Sequence, residues 1–414
     1  MRVKWTAWLI ALAILGKLTA QCAAGERVII TFKSGTGAAK REAALTALGA
    51  KPVTEILSND TQRQFVAVVA ESNMALDGLP KDASIDKVEP DYKVRWIEAM
   101  PAFTAPSASF KDLGLQKFQP QGRFERTALR GRIPWGIARV KAPAAWDYSE
   151  ASGVRVAIID TGIDSTHADL QGKVDGGFNA ITDCERVECW QDDNGHGTHV
   201  SGTVAANGRG LVGVAPKARL YGVKVLDADG SGNLSDVIKG IVWAANNGMQ
   251  VANMSLGSPM PSDTMQRALK YAKARGVIVV AAAGNSGGSV GYPGAYPETI
   301  AVSASDWNDN IASFSSRGDE VKFIAPGVSV VSSAMGGDYA SFSGTSMATP
   351  HVTGLAALAV SQGWRGLDGP DGVLAALKKA ATPLPNLTPQ EQGFGMIDAG
   401  KLVRHDQLRM AALQ

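Results

Sequence analysis

The chain has 414 residues, of which 45% are apolar and 19% charged, and a net charge of +2. These values suit folded domains with a full core and exclude wholesale disorder; the length alone suggests two or three domains. So small a net charge, without a basic run interleaved with aromatics, leaves nucleic-acid binding without support.

In chain order, the first feature is an export signal. Arg2 and Lys4 precede an apolar stretch from Trp5 to Leu15, and small residues follow at Ala20, Ala23 and Ala24. The pattern predicts a cleaved signal over residues 1–24. A membrane anchor is the alternative, but Lys17 cuts the run short of the roughly 20 apolar residues a spanning helix needs. The expected location is therefore secreted, extracellular or periplasmic, with no membrane attachment after cleavage. Cys22 raises lipidation, although Gln21 stands where a small residue would be expected before a lipidated cysteine. Cys184 and Cys189 are left as an even pair in an exported chain, and a small-loop disulfide is predicted, with free thiols as the alternative.

Residues 26–97 read as a small separate domain. RVIITFK alternates like a strand, and GAAKREAALTALGA has helical spacing closed by glycine. KPVTEILS and RQFVAVVAE read as strands, SNMALDGLP as a second helix, and IDKVEPDYKVR as a final strand. The order β-α-β-β-α-β is the ferredoxin-like α+β arrangement. Residues 98–132 are rich in Ala, Pro, Ser, Gln and Arg, without a sustained apolar period. They read as a linker, and Arg123, Arg126, Arg130 and Arg132 make a processing region the sharper expectation.

From 133 to 400, ahead of a tail over 401–414, strands and helices alternate. GVRVAIID, RLYGVKVLD, GMQVANMSL, GVIVVAAAG and TIAVSASD are nearly continuous apolar runs, as expected of parallel strands covered on both faces. LSDVIKGIVWAANNG, with Ser235 as a candidate cap, and SDTMQRALKYAKARG, with a Ser/Asp start and a Gly end, read as helices. The predicted class is α/β with a parallel sheet and helices on both faces, in which ligands bind beyond the carboxyl ends of the strands.

Three segments carry candidate chemistry. VAIIDTGID (156–164) ends an apolar strand at Asp160, where a carboxylate needs a partner or serves simply as a turn cap. DDNGHGTHVSGTVAA (192–206) places His196 between glycines at a helix start. His196 and His199 could form a metal pair, but further ligands at fitting spacing are missing. SFSGTSMATPHVTGLAAL (341–358) places Ser346 at the N-terminus of an apolar helix, where the dipole favours a developing anion and where an ordinary N-cap is the plain alternative. Pro350 is expected within the first turn, where proline costs little.

Together, IIDTGID, NGHGTHVSG, AAAGN and GTSMATPHV resemble the subtilisin-like serine proteases, and the similarity runs from IPWGIARVKAP at 133 to GFGMIDAG at 393–400. The Asp…His…Ser order is the one known for that family. The resemblance implies Ser346 as nucleophile, His196 as general base and Asp160 as its orienting group. It also implies Asn285 as the side-chain oxyanion donor beside the Ser346 N–H. GSGNLS (230–235) and MSLGSP (254–259) resemble the family's substrate-flanking segments. They give Gly230, Ser231, Gly232, Ser255, Leu256 and Gly257 as a peptide-binding edge. Gly257, Ala283, Gly284 and Gly291 imply an open first pocket that prefers apolar residues before the cut.

By the same resemblance, residues 26–97 match a propeptide that assists folding and inhibits the enzyme until it is cut within 98–132. Parallel sheets are slow to fold, which gives such an aid a physical purpose. Asp169 matches a calcium ligand of many members. The loop NGRGLVG is shorter than theirs, however, and Gly131 falls where a Gln ligand would be, so structural calcium stays an open alternative. No cofactor is expected for the chemistry. Met347 follows the nucleophile and would put a sulfoxide beside it on oxidation. The sequence thus predicts a secreted, self-processing, monomeric serine endopeptidase of broad specificity, acting on proteins or peptides. A catalytically silent peptide-binding or adhesion protein on the same fold is the alternative.

Overall fold

The computed structural model describes residues 26–58, 65–72, 82–97, 116–117 and 132–403. The signal sequence, Cys22, Gly131 and most of the 98–132 linker lie outside these residues. The described chain divides into two compact units that part between Tyr92 and Lys93.

The smaller unit contains β1 (Glu26–Phe32), α1 (Ala38–Ala47), β2 (Ala50–Leu57), β3 (Val66–Ser72) and β4 (Ile85–Pro90). Its antiparallel sheet has the order β2-β3-β1-β4. Val28, Ile30, Phe32, Val66, Val68 and Ala70 pack with Leu45 and Leu48 from the α1 segment. Of the expected second helix, Ser72 is still in β3 and the remainder lies outside the described residues.

The strand expected over IDKVEPDYKVR is two strands. β4 ends at Pro90, which has no N–H to continue a ladder, and Asp91 turns aside to pair with Arg27 at 2.9 Å. The chain resumes in the larger unit as β5 (Lys93–Arg95).

The larger unit continues with β6 (Arg155–Asp160), β7 (Val174–Asn179), α2 (His196–Ala205), β8 (Arg219–Lys224), β9 (Ser231–Asn233), α3 (Leu234–Asn246), β10 (Val251–Met254) and α4 (Asp263–Ala274). β11 (Ile278–Ala282), β12 (Thr299–Ser305), β13 (Val321–Pro326), α5 (Thr345–Ser361), β14 (Ala381–Thr382) and β15 (Met396–Ile397) follow. The nine-stranded sheet runs β14-β15-β13-β12-β11-β10-β6-β8-β7 and is parallel except for the edge pair β14·β15. The larger unit therefore has the α/β class with a mostly parallel sheet that the sequence indicates. Central strands such as β11 and β12 are buried at every residue, which explains their unbroken apolar runs.

Helix ends follow capping chemistry, with two corrections. Ser262 caps α4 by accepting from the Met265 N–H at 3.0 Å. The cap of α3 is Asn233, not Ser235. Asn233 and Asp236 form a reciprocal capping box, and Ser235 lies inside the helix, fully buried. Pro350 sits beyond the first turn of α5, as its sixth residue. A proline there removes the N–H that would bond the Ser346 carbonyl. The Ser255 hydroxyl takes that place, donating to the Ser346 carbonyl at 2.8 Å, so the deletion leaves no orphan acceptor. α5 is buried from Thr345 to Val360 and forms the central pillar of the core.

Candidate active site

Three sequence-selected residues stand where elements begin or end. Asp160 is the last residue of β6, His196 the first of α2, and Ser346 the second of α5. Asp160 and His196 are brought together: His196 Nδ1 lies 2.8 Å from Asp160 Oδ1, which also accepts the Thr161 N–H at 2.7 Å. Both side chains are buried. An acceptor on Nδ1 fixes the tautomer with the proton there and leaves Nε2 as the basic nitrogen. Nε2 is buried with no partner. The Ser346 hydroxyl donates to the Ser255 carbonyl at 3.0 Å, so the third link of the expected relay is not closed in this conformation. Such bonds often tighten only when substrate is present.

The close approach of the two segments needs glycine at two places. A Cβ on Gly197 would collide with the Gly162 carbonyl oxygen. Gly162 has φ +113°, and a Cβ there would lie 2.6 Å from the Trp190 carbonyl oxygen.

Asp192 was not singled out from sequence, yet it holds this approach. Its Oδ1 accepts the Thr161 hydroxyl at 2.8 Å and the N–H groups of Asn194 and Gly195 at 3.0 and 2.9 Å. Its Oδ2 accepts the Thr198 N–H and hydroxyl at 2.9 and 2.6 Å. Thr161 in turn accepts the Gly197 N–H at 3.0 Å. Lys224 adds a second tie. Its buried ammonium donates to the carbonyls of Thr161 and Leu226, both at 2.8 Å, and to Asp193 at 2.6 Å. The legible signal is the Asp-Asp pair just before the His196 helix, but its distant partners are Thr161, just past β6, and Lys224 of β8.

Electrostatically the site favours a basic imidazole. Burial opposes charge on His196, but Asp160, by charge and hydrogen bond, and Asp192, by charge, raise its pKa above the ordinary 6.5. His199 is not paired with His196 in a metal site. Its Nε2 faces the carbonyls of Val330 and Ala340, both at 3.1 Å, and burial and the neighbouring His196 push its pKa down to about 3.

Asn285 is oriented from behind. Its Oδ1 accepts the Thr345 N–H at 2.8 Å and the Thr345 hydroxyl at 2.9 Å. With the oxygen engaged, the amide NH2 is the end left to serve as a donor. It shares one cavity of about 260 Å³ with Ser346. Leu256, Gly257, Gly284 and Gly291 line this cavity. Ala283 does not; it is fully buried just past the end of β11, with its N–H bonded to the Val302 carbonyl, and Ala282 lines the wall instead. Pro259 and Val290 add apolar walls, Ser258, Ser286, Ser289 and Ser316 add hydroxyls, and among the described residues no charged side chain lines the space. Met347, expected beside the nucleophile, is fully buried.

The cavity is also lined by Trp96 and Ile97. The segment leading to them, β5, pairs antiparallel with β9: Lys93 lies opposite Asn233, Val94 opposite Gly232 and Arg95 opposite Ser231. The Trp96 N–H donates to the Gly230 carbonyl at 3.0 Å, and the Gly257 N–H donates to the Trp96 carbonyl at 2.9 Å. An extended stretch of this chain therefore lies between the two segments read as a peptide-binding edge.

The disulfide Cys184–Cys189 is formed. Asp169 does not fit a cation ligand. Its Oδ1 accepts the Gly210 N–H at 2.6 Å, and its Oδ2 accepts the Leu211 N–H and the Tyr339 hydroxyl, each at 2.9 Å. Three of the roughly four acceptor positions of this carboxylate are thus taken by hydrogen-bond donors.

Residues 151–395 match the sequence profile of the subtilase family. M-protease of Shouchella clausii (strain KSM-K16) is 49% identical over 286 residues, 68% of this chain and 72% of that protein. Subtilisin Savinase of Lederbergia lenta is 55% identical over 230 residues, 55% of this chain and 83% of its own length. Subtilisin E of Bacillus subtilis (strain 168) is 50% identical over 238 residues, 56% of this chain and 61% of its own length. The chain belongs to the subtilase family.

Proposed function

We propose that the chain is a secreted serine endopeptidase, made as a self-processing zymogen, that cleaves proteins and peptides through an acyl-enzyme. The observation that carries this reading is the buried 2.8 Å bond from His196 to Asp160, with the basic Nε2 left free in the unit that also holds Ser346 and Asn285. The names of the relatives, among them M-protease and subtilisins, support the same activity.

In this mechanism the Ser346 hydroxyl turns from the Ser255 carbonyl to His196 Nε2. Ser346 attacks the carbonyl carbon of the peptide and passes its proton to Nε2. Asp160 stabilises the resulting imidazolium and keeps its orientation. The oxyanion meets the Asn285 NH2, at a helix end whose dipole is positive. His196 then gives its proton to the leaving amine, the acyl group stays on Ser346, and water, deprotonated by the same imidazole, releases it.

An uncharged cavity with apolar walls favours neutral, mainly apolar residues before the cut. The segment Lys93–Ile97, in strand contact along the cleft, supports inhibition by the chain's own N-terminal part until the following bonds are cut. The n-region at Arg2 and Lys4 and the disulfide support export to an oxidising compartment. No catalytic cofactor is needed.

The test is Ser346→Ala in the full chain, followed by intact mass and N-terminal sequencing. The reading predicts that the wild-type chain shortens and the variant stays whole. A variant still cut at the same bond in purified form contradicts self-processing. Peptide hydrolysis that survives unchanged in Ser346→Ala contradicts Ser346 as the nucleophile, and absence of hydrolysis in both proteins favours the peptide-binding alternative.

A further inference from the structure

Beyond the cavity, the cleft holds a charged contact at its far end. Lys93 Nζ lies 2.8 Å from Asp227 Oδ2. Lys93 is part of β5, whose register along β9 brings Trp96 and Ile97 to the cavity beside Ser346. The Lys93 contact therefore marks a place that an extended substrate would reach four residues upstream of the one seated where Ile97 lies.

Asp227 is prepared for a cation by its own turn. Its Oδ1 accepts the N–H groups of Ser231 at 3.0 Å and Asp229 at 3.1 Å. The Asp227 N–H donates to the Ser231 carbonyl at 2.8 Å, and the Gly230 N–H to the Asp227 carbonyl at 2.9 Å. These bonds hold one carboxylate oxygen and leave Oδ2 facing Lys93. The same turn leads directly into Ser231–Asn233, the strand that holds the segment. Carboxylate and binding edge are thus one rigid piece, and a cation binding here loses less freedom than at an unsupported surface carboxylate. Burial works against charge on Asp227, but Lys93 and the two N–H groups hold its carboxyl below the usual range.

We propose that Asp227 is a specificity-determining residue that selects lysine or arginine at this upstream position of the substrate. The proposal rests on the endopeptidase reading and extends it from the apolar cavity to a second, cationic subsite. The contact is part-exposed, so its selectivity is modest and screened by salt.

The test uses two peptides. One has this chain's own residues 91–100, and the other is identical except that alanine replaces the lysine. Both are offered in competition, at low salt, to the wild-type protein after it has processed itself. The ratio of kcat/KM values is read, so that overall changes in activity cancel. The lysine peptide is expected to be preferred by about three- to fivefold. The ratio should fall to about one in 1 M salt, where the Debye length is only about 3 Å. It should also fall to about one in Asp227→Asn, which keeps an Oδ1 acceptor for the turn. A wild-type ratio of one, or a ratio unchanged in Asp227→Asn, overturns the proposal. If wild-type protein cuts neither peptide, the endopeptidase reading fails and this subsite fails with it.

Discussion

Asp192 and Thr161 are joined by a 2.8 Å hydrogen bond that ties the turn after Asp160 to the start of the His196 helix. The same carboxylate takes four further donors, from Asn194, Gly195 and Thr198. Asp192 thereby fixes how two distant stretches of chain face each other, without being a triad member itself.

Asp192→Asn should lower kcat by about tenfold, close to 1.4 kcal/mol, with KM nearly unchanged. It should also move the acid limb of the pH profile to lower pH, because one negative charge that favours the His196 imidazolium is removed. Asp192→Ala strands five donors and should cost about 3 kcal/mol or more of stability. Steady-state kinetics across pH, with urea unfolding, checks all three. An unshifted acid limb in Asp192→Asn contradicts the positioning role.

The histidines should titrate in opposite directions. Activity requires neutral His196, so kcat/KM should rise with pH through a midpoint above 6.5. For stability the signs differ. His196, raised, contributes stability that is present below its unfolded value and lost as pH rises through its folded value. His199 and His351 are lowered chiefly by burial, to about 3 and about 4. The unfolded chain binds their protons first, so stability falls as pH drops below about 6.5, by roughly 1.4 kcal/mol per unit for each group. In the Ser346→Ala protein, imidazole NMR signals of His199 and His351 should stay unchanged from pH 8 to 5 while that of His196 moves. Titration of either buried ring near pH 6.5 would contradict this.

Thr345 should matter through Asn285. Thr345→Val removes the hydroxyl that donates to the Asn285 oxygen at 2.9 Å, while the Thr345 N–H bond remains. A loss of about tenfold in kcat is expected. Asn285→Ala should cost about 10²–10³, the size measured for such a donor in a subtilisin. Because both act through one amide, the double variant should be little worse than Asn285→Ala alone. Fully additive losses would separate the two residues.

Asp169 should stabilise the chain through hydrogen bonds, not through a metal. Burial and Asp169 raise the Tyr339 hydroxyl pKa, which keeps it a donor well into alkaline conditions. Tyr339→Phe should cost about 1 kcal/mol. Asp169→Ala, which strands the Gly210 and Leu211 N–H groups, should cost about 2–4 kcal/mol. Both losses should be equal in calcium and in chelator, measured by thermal unfolding of the Ser346→Ala protein. A cost that appears only with calcium present contradicts the assignment.

The parts of the site that were legible in sequence lie at element boundaries. Asp160, His196 and Ser346 each stand where an apolar run starts or stops beside glycine, and that pattern is local. What escaped depends on neighbours distant in the chain. Lys224 looks like an ordinary strand residue until the sheet sets it opposite Asp160. Pro350 reads as a first-turn proline because only the fold reveals the Ser255 hydroxyl that covers its missing bond. The split of IDKVEPDYKVR at Pro90 was visible as a proline, but the pairing of Lys93–Arg95 with Ser231–Asn233 was not. The small side chain of Ala283 suggests a place at the pocket, while Ala282, at the end of β11, lines the cavity instead.

The central claim is that the hydroxyl at 346 is made nucleophilic by His196. Reaction of the self-processed protein with a fluorophosphonate, followed by peptide mass mapping, tests it most directly. One adduct is expected, on Ser346, forming rapidly in the wild type and at least about 10³-fold more slowly in His196→Ala. An adduct on another residue, or equal labelling rates in the two proteins, would contradict it.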